Sequence, residues 1–266
     1  MAKELKTALV DADIVAYQFA ATSQSAINWG DGDVQQYAYD PQVVRDNIDH
    51  HIGEYFHKLK VDEVIVCLTD SSNFRKTILP SYKMNRAGML KPLHLTYAKE
   101  YMESTYPTYK KPHLEADDVM GILSTHPKLI KGKKVIVSID KDMKQIPGWL
   151  YNPDKDKKPR LVSAHEGQLF HMYQTLRGDP VDGYSGCPKI GDVNANRIIQ
   201  EALDEGTPWA DHHQLGVLLW QHVVKTYEAA GLTEDDALVQ ARCARILQWQ
   251  DYDYTNNEVI LWQPPK

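Results

Sequence analysis

Three short β-branched runs constrain this chain more than any other feature, because each is continuously apolar and each is followed by an aspartate. Ala8-Leu9-Val10 precedes Asp11, Val64-Ile65-Val66-Cys67-Leu68-Thr69 precedes Asp70, and Val135-Ile136-Val137-Ser138-Ile139 precedes Asp140. Short unbroken apolar runs read as strands buried on both faces. Helical patterns lie between them. Residues 41–59 carry Val44, Ile48, Ile52, Tyr55 and Leu59 at spacings of three and four, which makes one apolar face. Residues 92–106 read as a helix with Pro92 in its first turn, and 114–124 as one with Val119, Ile122 and Leu123 inward. Strands alternating with helices predict an α/β fold with a mainly parallel sheet. Ligands of such sheets bind beyond the carboxyl ends of the strands, where three aspartates would converge on one mouth.

More acids join them. Glu115 and Asp118 stand three apart on one helix face with Asp117 beside them, Asp142 follows Asp140, and Asp179 and Asp182 lie in a glycine-rich stretch. With Asp11 and Asp70 these are nine carboxylates in five places. One aspartate after one strand is usually a helix cap. Three such strand ends plus an acidic helix turn exceed what capping explains. Carboxylates gathered without matching Arg or Lys repel one another, and a cation relieves them. Donors that are all oxygen suit Mg²⁺ or Mn²⁺, and so many suit two ions ~3.5–4 Å apart, the arrangement for in-line phosphoryl displacement. Asp13 falls outside this set and is expected to be a helix cap.

Composition permits a nucleic-acid substrate. The chain has 30 Lys and Arg against 36 Asp and Glu, a net charge of −6. With the nine candidate ligands set aside, 27 acidic residues face 30 basic ones, so the acidic total is no veto. Apolar residues at 42% and charged residues at 25% are ordinary globular usage over 266 residues. Cys67, Cys187 and Cys243 share no C-x-x-C spacing, which argues against a disulfide scaffold or a cysteine zinc site and fits a reducing cytoplasm. No apolar run is long enough to span a bilayer, and Met1-Ala2-Lys3-Glu4 opens no signal-peptide core, so the mature protein is expected to begin here, away from any membrane.

Beyond residue 148 the pattern changes. Residues 149–162 read as a charged loop or hairpin around Asn152-Pro153-Asp154. Ser163 and Glu166 form a capping-box signature for a helix to about Arg177. Residues 178–191, with four glycines and two prolines, read as a loop. Asp192 is expected to cap a helix through Leu203, Thr233 one to about Gln248, and 258–262 to form a terminal strand. A boundary near residue 160 divides an α/β part, 1–160, from a helical part, 161–266. The adjacent pairs His50-His51 and His212-His213 read as surface residues, since helix neighbours do not face one way.

Two basic features accompany the acids. Gly183-Tyr184-Ser185-Gly186-Cys187-Pro188-Lys189-Ile190-Gly191 precedes a helix and resembles a hairpin whose backbone amides bind phosphates. Arg75, Lys76, Tyr82, Lys83 and Arg86 interleave cations with an aromatic, which suits phosphates and stacked bases.

Together these motifs resemble the flap endonuclease and 5′→3′ exonuclease superfamily, most nearly the exonucleases of short-tailed bacteriophages. The likeness rests on Leu9-Val10-Asp11-Ala12-Asp13, the run from Leu68 through Asp70 to Lys76, Tyr82-Lys83-Met84-Asn85-Arg86, Leu114-Glu115-Ala116-Asp117-Asp118, Ser138-Ile139-Asp140-Lys141-Asp142 and Gly178-Asp179-Pro180-Val181-Asp182-Gly183. The tail segments 241–247 and 260–262 also look like the phage enzymes. The resemblance implies a PIN-like nuclease core, a helical arch over about 71–95, and a helix-hairpin-helix variant over about 163–203. It implies one Mg²⁺ at Asp11, Asp70, Glu115 and Asp117, and a second at Asp140, Asp142, Asp179 and Asp182, with Asp118 an additional acid of the phage pattern. It further implies Lys83 and Arg86 at the scissile phosphate, and Arg75, Lys76, Tyr82, Gly183, Ser185, Gly186, Lys189 and Gly191 against nucleic acid, with K⁺ at the hairpin. The substrate would be DNA with free 5′ ends, nicks or flaps, or RNA in RNA–DNA hybrids. The setting would be phage replication or host DNA breakdown in the host cytoplasm, alongside replication proteins.

Two rivals compete with this reading. Asp11-Ala12-Asp13 also fits the D-x-D of a haloacid-dehalogenase-type phosphatase with Asp11 as nucleophile. That reading leaves Glu115, Asp117, Asp118 and the glycine hairpin without a role. A DNA-binding module without catalysis leaves the acids unexplained, since carboxylates near phosphates cost affinity unless cations screen them.

Overall fold

The computed structural model describes residues 4–30, 34–206 and 211–266. In chain order the elements are β1 (Lys6–Asp11), α1 (Ala12–Thr22), β2 (Gln24–Asn28), β3 (Val34–Ala38), α2 (Pro41–Leu59), β4 (Glu63–Cys67), α3 (Arg75–Ile78), α4 (Leu95–Thr105), β5 (Thr108–Tyr109), α5 (Ala116–Thr125), β6 (Lys133–Val137), β7 (Gly148–Tyr151) and β8 (Arg160–Val162). Helices α6 (Ala164–Arg177), α7 (Asp192–Glu205), α8 (His212–Ala229) and α9 (Glu234–Ala244) follow, then a short antiparallel pair, β9 (Tyr252–Asp253) and β10 (Glu258–Val259). The chain divides into two units. The first runs to Ser72 and includes Gly88–Met143 and Gly148–Leu161, and the second comprises Asn73–Ala87, Lys144–Pro147 and the chain from Val162 onward.

The first unit is built on a sheet of order β5-β4-β1-β6-β7-β8. The β1–β4, β1–β6, β4–β5 and β6–β7 ladders are all parallel. Val10, Val66 and Val137 are buried within these strands, and Val44, Ile48, Ile52, Tyr55 and Leu59 of α2 pack in the same core. The chain fills the sheet from β1 outward in one direction through β4 and β5, then in the other through β6, β7 and β8. That reversal makes the carboxyl end of β1 a topological switch point, the place where such sheets leave a crevice.

Helices α6 to α9 form the core of the second unit around Leu176, Ala195, Leu219, Val223 and Tyr227. Ser163 caps α6 with a reciprocal box to Glu166. The buried Gln145 joins this unit, donating to the Ala244 carbonyl at 2.8 Å and accepting the Ile246 amide at 2.7 Å.

Several sequence expectations shift. Helix α4 begins at Leu95 rather than in a turn led by Pro92, and α9 ends at Ala244 rather than near Gln248. Gly191, not Asp192, is the N-cap of α7. The 149–162 stretch contributes β7 and β8 to the main sheet, and the terminal strand is only Glu258–Val259. Of the helical arch expected over 71–95, the regular structure up to α4 is the four-residue α3 and a 3-10 turn at Met84–Arg86. Pro80, Gly88 and Pro92 punctuate that segment and prevent a longer helix. His51 is half-buried, pairing with the Tyr55 hydroxyl at 2.6 Å and packing edge-on to Phe19, so it is no surface residue.

Candidate active site

Asp11 closes β1 and caps α1, accepting the Ile14 amide at 3.3 Å. Its other oxygen accepts the Ser138 hydroxyl at 2.9 Å, and that hydroxyl oxygen accepts the Asp140 amide at 3.0 Å. Asp140 in turn accepts the Asp142 amide at 2.8 Å. A chain of short polar bonds therefore ties the ends of β1 and β6 together. Asp11 is 3% exposed. Burial foremost, then the charge of Asp13, push its carboxyl up to about 7; the Ser138 and Ile14 bonds oppose this and Asp140 adds to it. Asp13, expected as a helix cap, instead forms an ion pair with Lys99 at 2.7 Å. Only Asp11 sits within its strand; Asp70 and Asp140 lie three residues beyond β4 and β6.

Asp70 accepts the Ser72 hydroxyl at 2.6 Å and the His113 amide at 3.0 Å, and those two bonds hold its carboxyl well below the usual carboxylate range. Its own amide donates to the Leu114 carbonyl at 2.9 Å. One residue earlier, the Thr69 hydroxyl oxygen accepts the Ala116 amide at 2.9 Å. The end of β4 is thus bonded to the start of α5. Glu115 is the α5 N-cap and exchanges bonds with Asp118, which accepts the Glu115 amide at 3.2 Å. Asp118, expected as a metal ligand, is fully buried and takes part in this capping box. Asp117 is half-buried. Burial, then Asp11 and Asp117, raise the buried Cys67 thiol well above its ordinary range, so both carboxylates bear on one point below the mouth.

In the second unit the cations expected at the phosphate are held by an expected metal ligand. Arg86 donates to Asp182 at 2.6 Å, Lys83 Nζ lies 3.5 Å from the same oxygen, and the Tyr82 hydroxyl donates to the other oxygen at 3.0 Å. The Asn85 amide group donates to the carbonyls of Pro180 and Val181 at 2.9 and 3.2 Å, fixing the segment against this loop. Asp179 accepts the Val181 amide at 2.8 Å.

Two residues expected to meet nucleic acid are buried instead. Tyr82 is 2% exposed and stacks on Tyr184 at 6.5 Å, so it offers no face to a base. Arg75 is 2% exposed, and it donates to the carbonyls of Cys243 at 3.0 Å and Arg245 at 2.6 Å. Lys76 is exposed. The hairpin over 178–191 spends much of its backbone internally. The Gly183 amide donates to the Asp179 carbonyl, Cys187 to Leu176, Ile190 to Cys187, and Gly186 to the Gln240 side chain. Gly186, at φ +65, is buried where its backbone meets that of Gly178. Ser185, Lys189 and Gly191 are exposed.

Ser72, His113, Ser138, Asn85 and Lys99 were not singled out from the sequence. Two of them carried a legible signal: a hydroxyl two residues from an acid, in Asp70-Ser71-Ser72 and Ser138-Ile139-Asp140. His113, Asn85 and Lys99 act through tertiary contacts that no spacing announces.

The first unit's donors are all oxygen, and the buried Asp11 lies under the charges of Asp13 and Asp140, a set that fits a hard divalent cation. Among the described residues, no three His, Cys, Asp or Glu side chains stand together at metal-holding distance. Asp11 and Asp70 accept from hydroxyls and amides, and Asp182 accepts from cations.

Comparisons with known proteins converge. The sequence profile of the 5′-3′ exonuclease N-terminal resolvase-like domain matches residues 7–157. The chain is 27% identical to the exodeoxyribonuclease of Enterobacteria phage T3, over 96% of this chain and 92% of that one. It is 27% identical to the exonuclease of Escherichia phage T7, over 96% and 93%. Its fold resembles that of the bacteriophage T5 flap endonuclease, solved in a pseudo-enzyme-product complex with DNA and metal ions, at a TM-score of 0.58, 16% identity and 90% coverage of each chain. The phosphatase alternative finds no support in these comparisons.

Proposed function

The chain belongs to the 5′-3′ exonuclease family, whose N-terminal resolvase-like domain spans more than half of it, and from that membership we propose a divalent-metal-dependent 5′→3′ exodeoxyribonuclease of the flap endonuclease type that hydrolyses phosphodiester bonds of DNA. The observation that carries the reading is Asp11. It is a buried carboxyl at the switch point of a parallel sheet, pushed up to about 7 by burial and neighbouring acids. Burying like charges together is costly unless a cation occupies their midst.

In the first unit, Asp11, Asp70, Glu115, Asp117, Asp140 and Asp142 would hold Mg²⁺, with Mn²⁺ as a substitute. When bound, such ions supply charge at the phosphate and activate water. The protein's own groups prepare the place. Ser138 and Ile14 orient Asp11, Ser72 and His113 keep Asp70 ionised, and the Thr69 bond anchors the turn carrying Glu115 and Asp117. In the second unit, Lys83 and Arg86 would exchange Asp182 for phosphate oxygens, one anionic partner for another, and offset charge that develops there. Ser185, Lys189 and Gly191 would meet the backbone of duplex DNA, with K⁺ as a further ligand of that hairpin. The products would carry 5′ phosphates.

The test is duplex DNA labelled at the 5′ or the 3′ end, incubated with Mg²⁺, with EDTA, and with Asp140→Asn protein. Mg²⁺-dependent release of 5′ label, lost in the variant, is the expected result. Release from 3′ ends only, or cleavage indifferent to EDTA and to the substitution, would overturn the reading. An RNA–DNA hybrid arm decides whether RNA is also a substrate.

A further inference from the structure

Within the second unit lies a cavity of about 430 Å³ whose lining includes Gln168, His171, His212, Gly216, Arg245 and Trp262. None of these takes part in the proposed cleavage. One wall is the tail from Ile260 to Pro265. Gly216 lies inside α8, where glycine weakens a helix relative to alanine. A Cβ there would stand 2.5 Å from the Gln168 side-chain nitrogen and 2.9 Å from Pro265. The missing side chain is what lets the Gln168 amide and the tail close on α8.

Two side chains of this lining offer hydrogen-bond acceptors. Gln168 Oε1 is a buried acceptor with no hydrogen-bond partner among the described residues. His171 is 2% exposed and its Nε2–H donates to the Ala241 carbonyl at 2.8 Å, so its other ring nitrogen is an acceptor. Arg245 is committed to Asp251 through two bonds of 2.9 and 2.7 Å. Its charge is matched, which disfavours a bare anion. Trp262 stands edge-on to His171 at 5.0 Å and to Trp220 at 5.3 Å, giving the cavity an aromatic wall. A flat, uncharged group that donates hydrogen bonds answers all of these features.

We propose that this cavity binds an amino-bearing nucleobase, its exocyclic N–H donating to Gln168 Oε1 and its ring lying against Trp262. A base of this kind is offered both by a free nucleoside or nucleotide and by an unpaired position in a DNA strand. The inference does not rest on the nuclease reading, because the site's chemistry is its own and its test needs no cleavage.

The experiment follows the Gln168 side-chain amide by ¹⁵N–¹H NMR of the full chain in EDTA, titrated with deoxyadenosine, deoxycytidine, thymidine and a short single-stranded oligonucleotide. Deoxyadenosine and deoxycytidine shift the Gln168 resonance saturably, and thymidine, which lacks the exocyclic amine, binds about tenfold more weakly. Saturation by nucleosides identifies free nucleotides as the source; saturation by the oligonucleotide alone identifies a strand base. Binding followed at the Trp262 indole resonance is lost in Gln168→Leu, whose amide spectrum away from the cavity and melting temperature match wild type and so show that the fold is intact. Gly216→Ala, which pushes against the Gln168 amide, weakens binding in the same direction. Water alone filling the cavity, seen as no saturable shift with any probe, would overturn the proposal. So would equal binding by wild type and Gln168→Leu.

Discussion

Arg86 donates to the Asp182 carboxylate at 2.6 Å, and Lys83 reaches the same oxygen at 3.5 Å, so one acid pairs with both cations expected at the phosphate. These side chains are partly exposed, which keeps the ion pairs worth only ~0–1 kcal/mol each. Asp182→Asn should therefore cost little stability while freeing two cations. Binding of duplex DNA without divalent metal should tighten, and the slope of log affinity against log salt should steepen by ~1–2, since each new phosphate contact contributes about 0.9. Fluorescence anisotropy over a salt series reads this directly. An unchanged slope would mean that Lys83 and Arg86 do not reach phosphate even when released.

Asp11 offers a test of the metal assignment that needs no activity. Its buried carboxylate is opposed by burial and by the acids around it. Asn has the same shape without the charge. In EDTA at pH 8, Asp11→Asn should be more stable than wild type by ~1–3 kcal/mol, the range for relief of a poorly compensated buried polar group. Added Mg²⁺ should raise the melting temperature of wild type and leave the variant nearly unmoved. A variant that is less stable in EDTA, or that responds to Mg²⁺ as wild type does, would contradict Asp11 as a ligand.

His171 sets an acid limit on the second unit. Burial, with Arg245 nearby, lowers its imidazole to about 3 from the ordinary 6.5, against the opposing bond to Ala241. The folded pKa is depressed, so the unfolded chain takes the proton first. The stabilisation is complete above pH ~6.5 and is lost as pH falls toward 3. Between pH 7 and pH 5 the loss should be ~2 kcal/mol at 1.36 kcal/mol per pH unit. Urea denaturation followed by tryptophan fluorescence, in which Trp262 packs on this ring, should show that loss in wild type. His171→Gln keeps a donor for the Ala241 carbonyl without the titration and should lose ~2 kcal/mol less.

Much of the scaffold was readable from periodicity. The five apolar positions of α2 that share one stripe are the five that are buried, while Val43 and Phe56, off that stripe, are exposed. The three strands and the Ser163 box were equally local signals. The acids were legible as a set, yet their individual duties were not. Asp118 was expected at a metal and caps α5; Asp13 was expected at a cap and pairs with Lys99. Carboxylates serve as caps, ion-pair partners and ligands with the same atoms, and tertiary neighbours choose among these. Tyr82 and Arg75 looked like a nucleic-acid face because aromatic and basic residues alternate there. Their burial depends on Tyr184 and on the carbonyls of Cys243 and Arg245, more than a hundred residues away in sequence.

The hairpin after α6 supplies the last prediction. Gly186 adopts φ +65, and a Cβ there would lie 2.3 Å from the Gly178 amide nitrogen and 2.5 Å from the Arg177 carbonyl carbon. Those are backbone atoms, so no side chain can swing aside. Ala at positive φ costs ~1–2 kcal/mol by itself, and the clash adds to it by prising Gly178 and Gly186 apart. That movement would also pull the Gly186 amide from Gln240 and the Cys187 amide from the Leu176 carbonyl. Gly186→Ala should lose more than ~2 kcal/mol of stability in denaturant melts, whereas Ser185→Ala, with an exposed side chain, should fall within about 0.5 kcal/mol of wild type. If the hairpin grips DNA backbone, Gly186→Ala should also weaken duplex binding uniformly across sequences, since backbone contacts carry no base preference. A variant as stable as wild type would show that the two backbones do not approach so closely in solution.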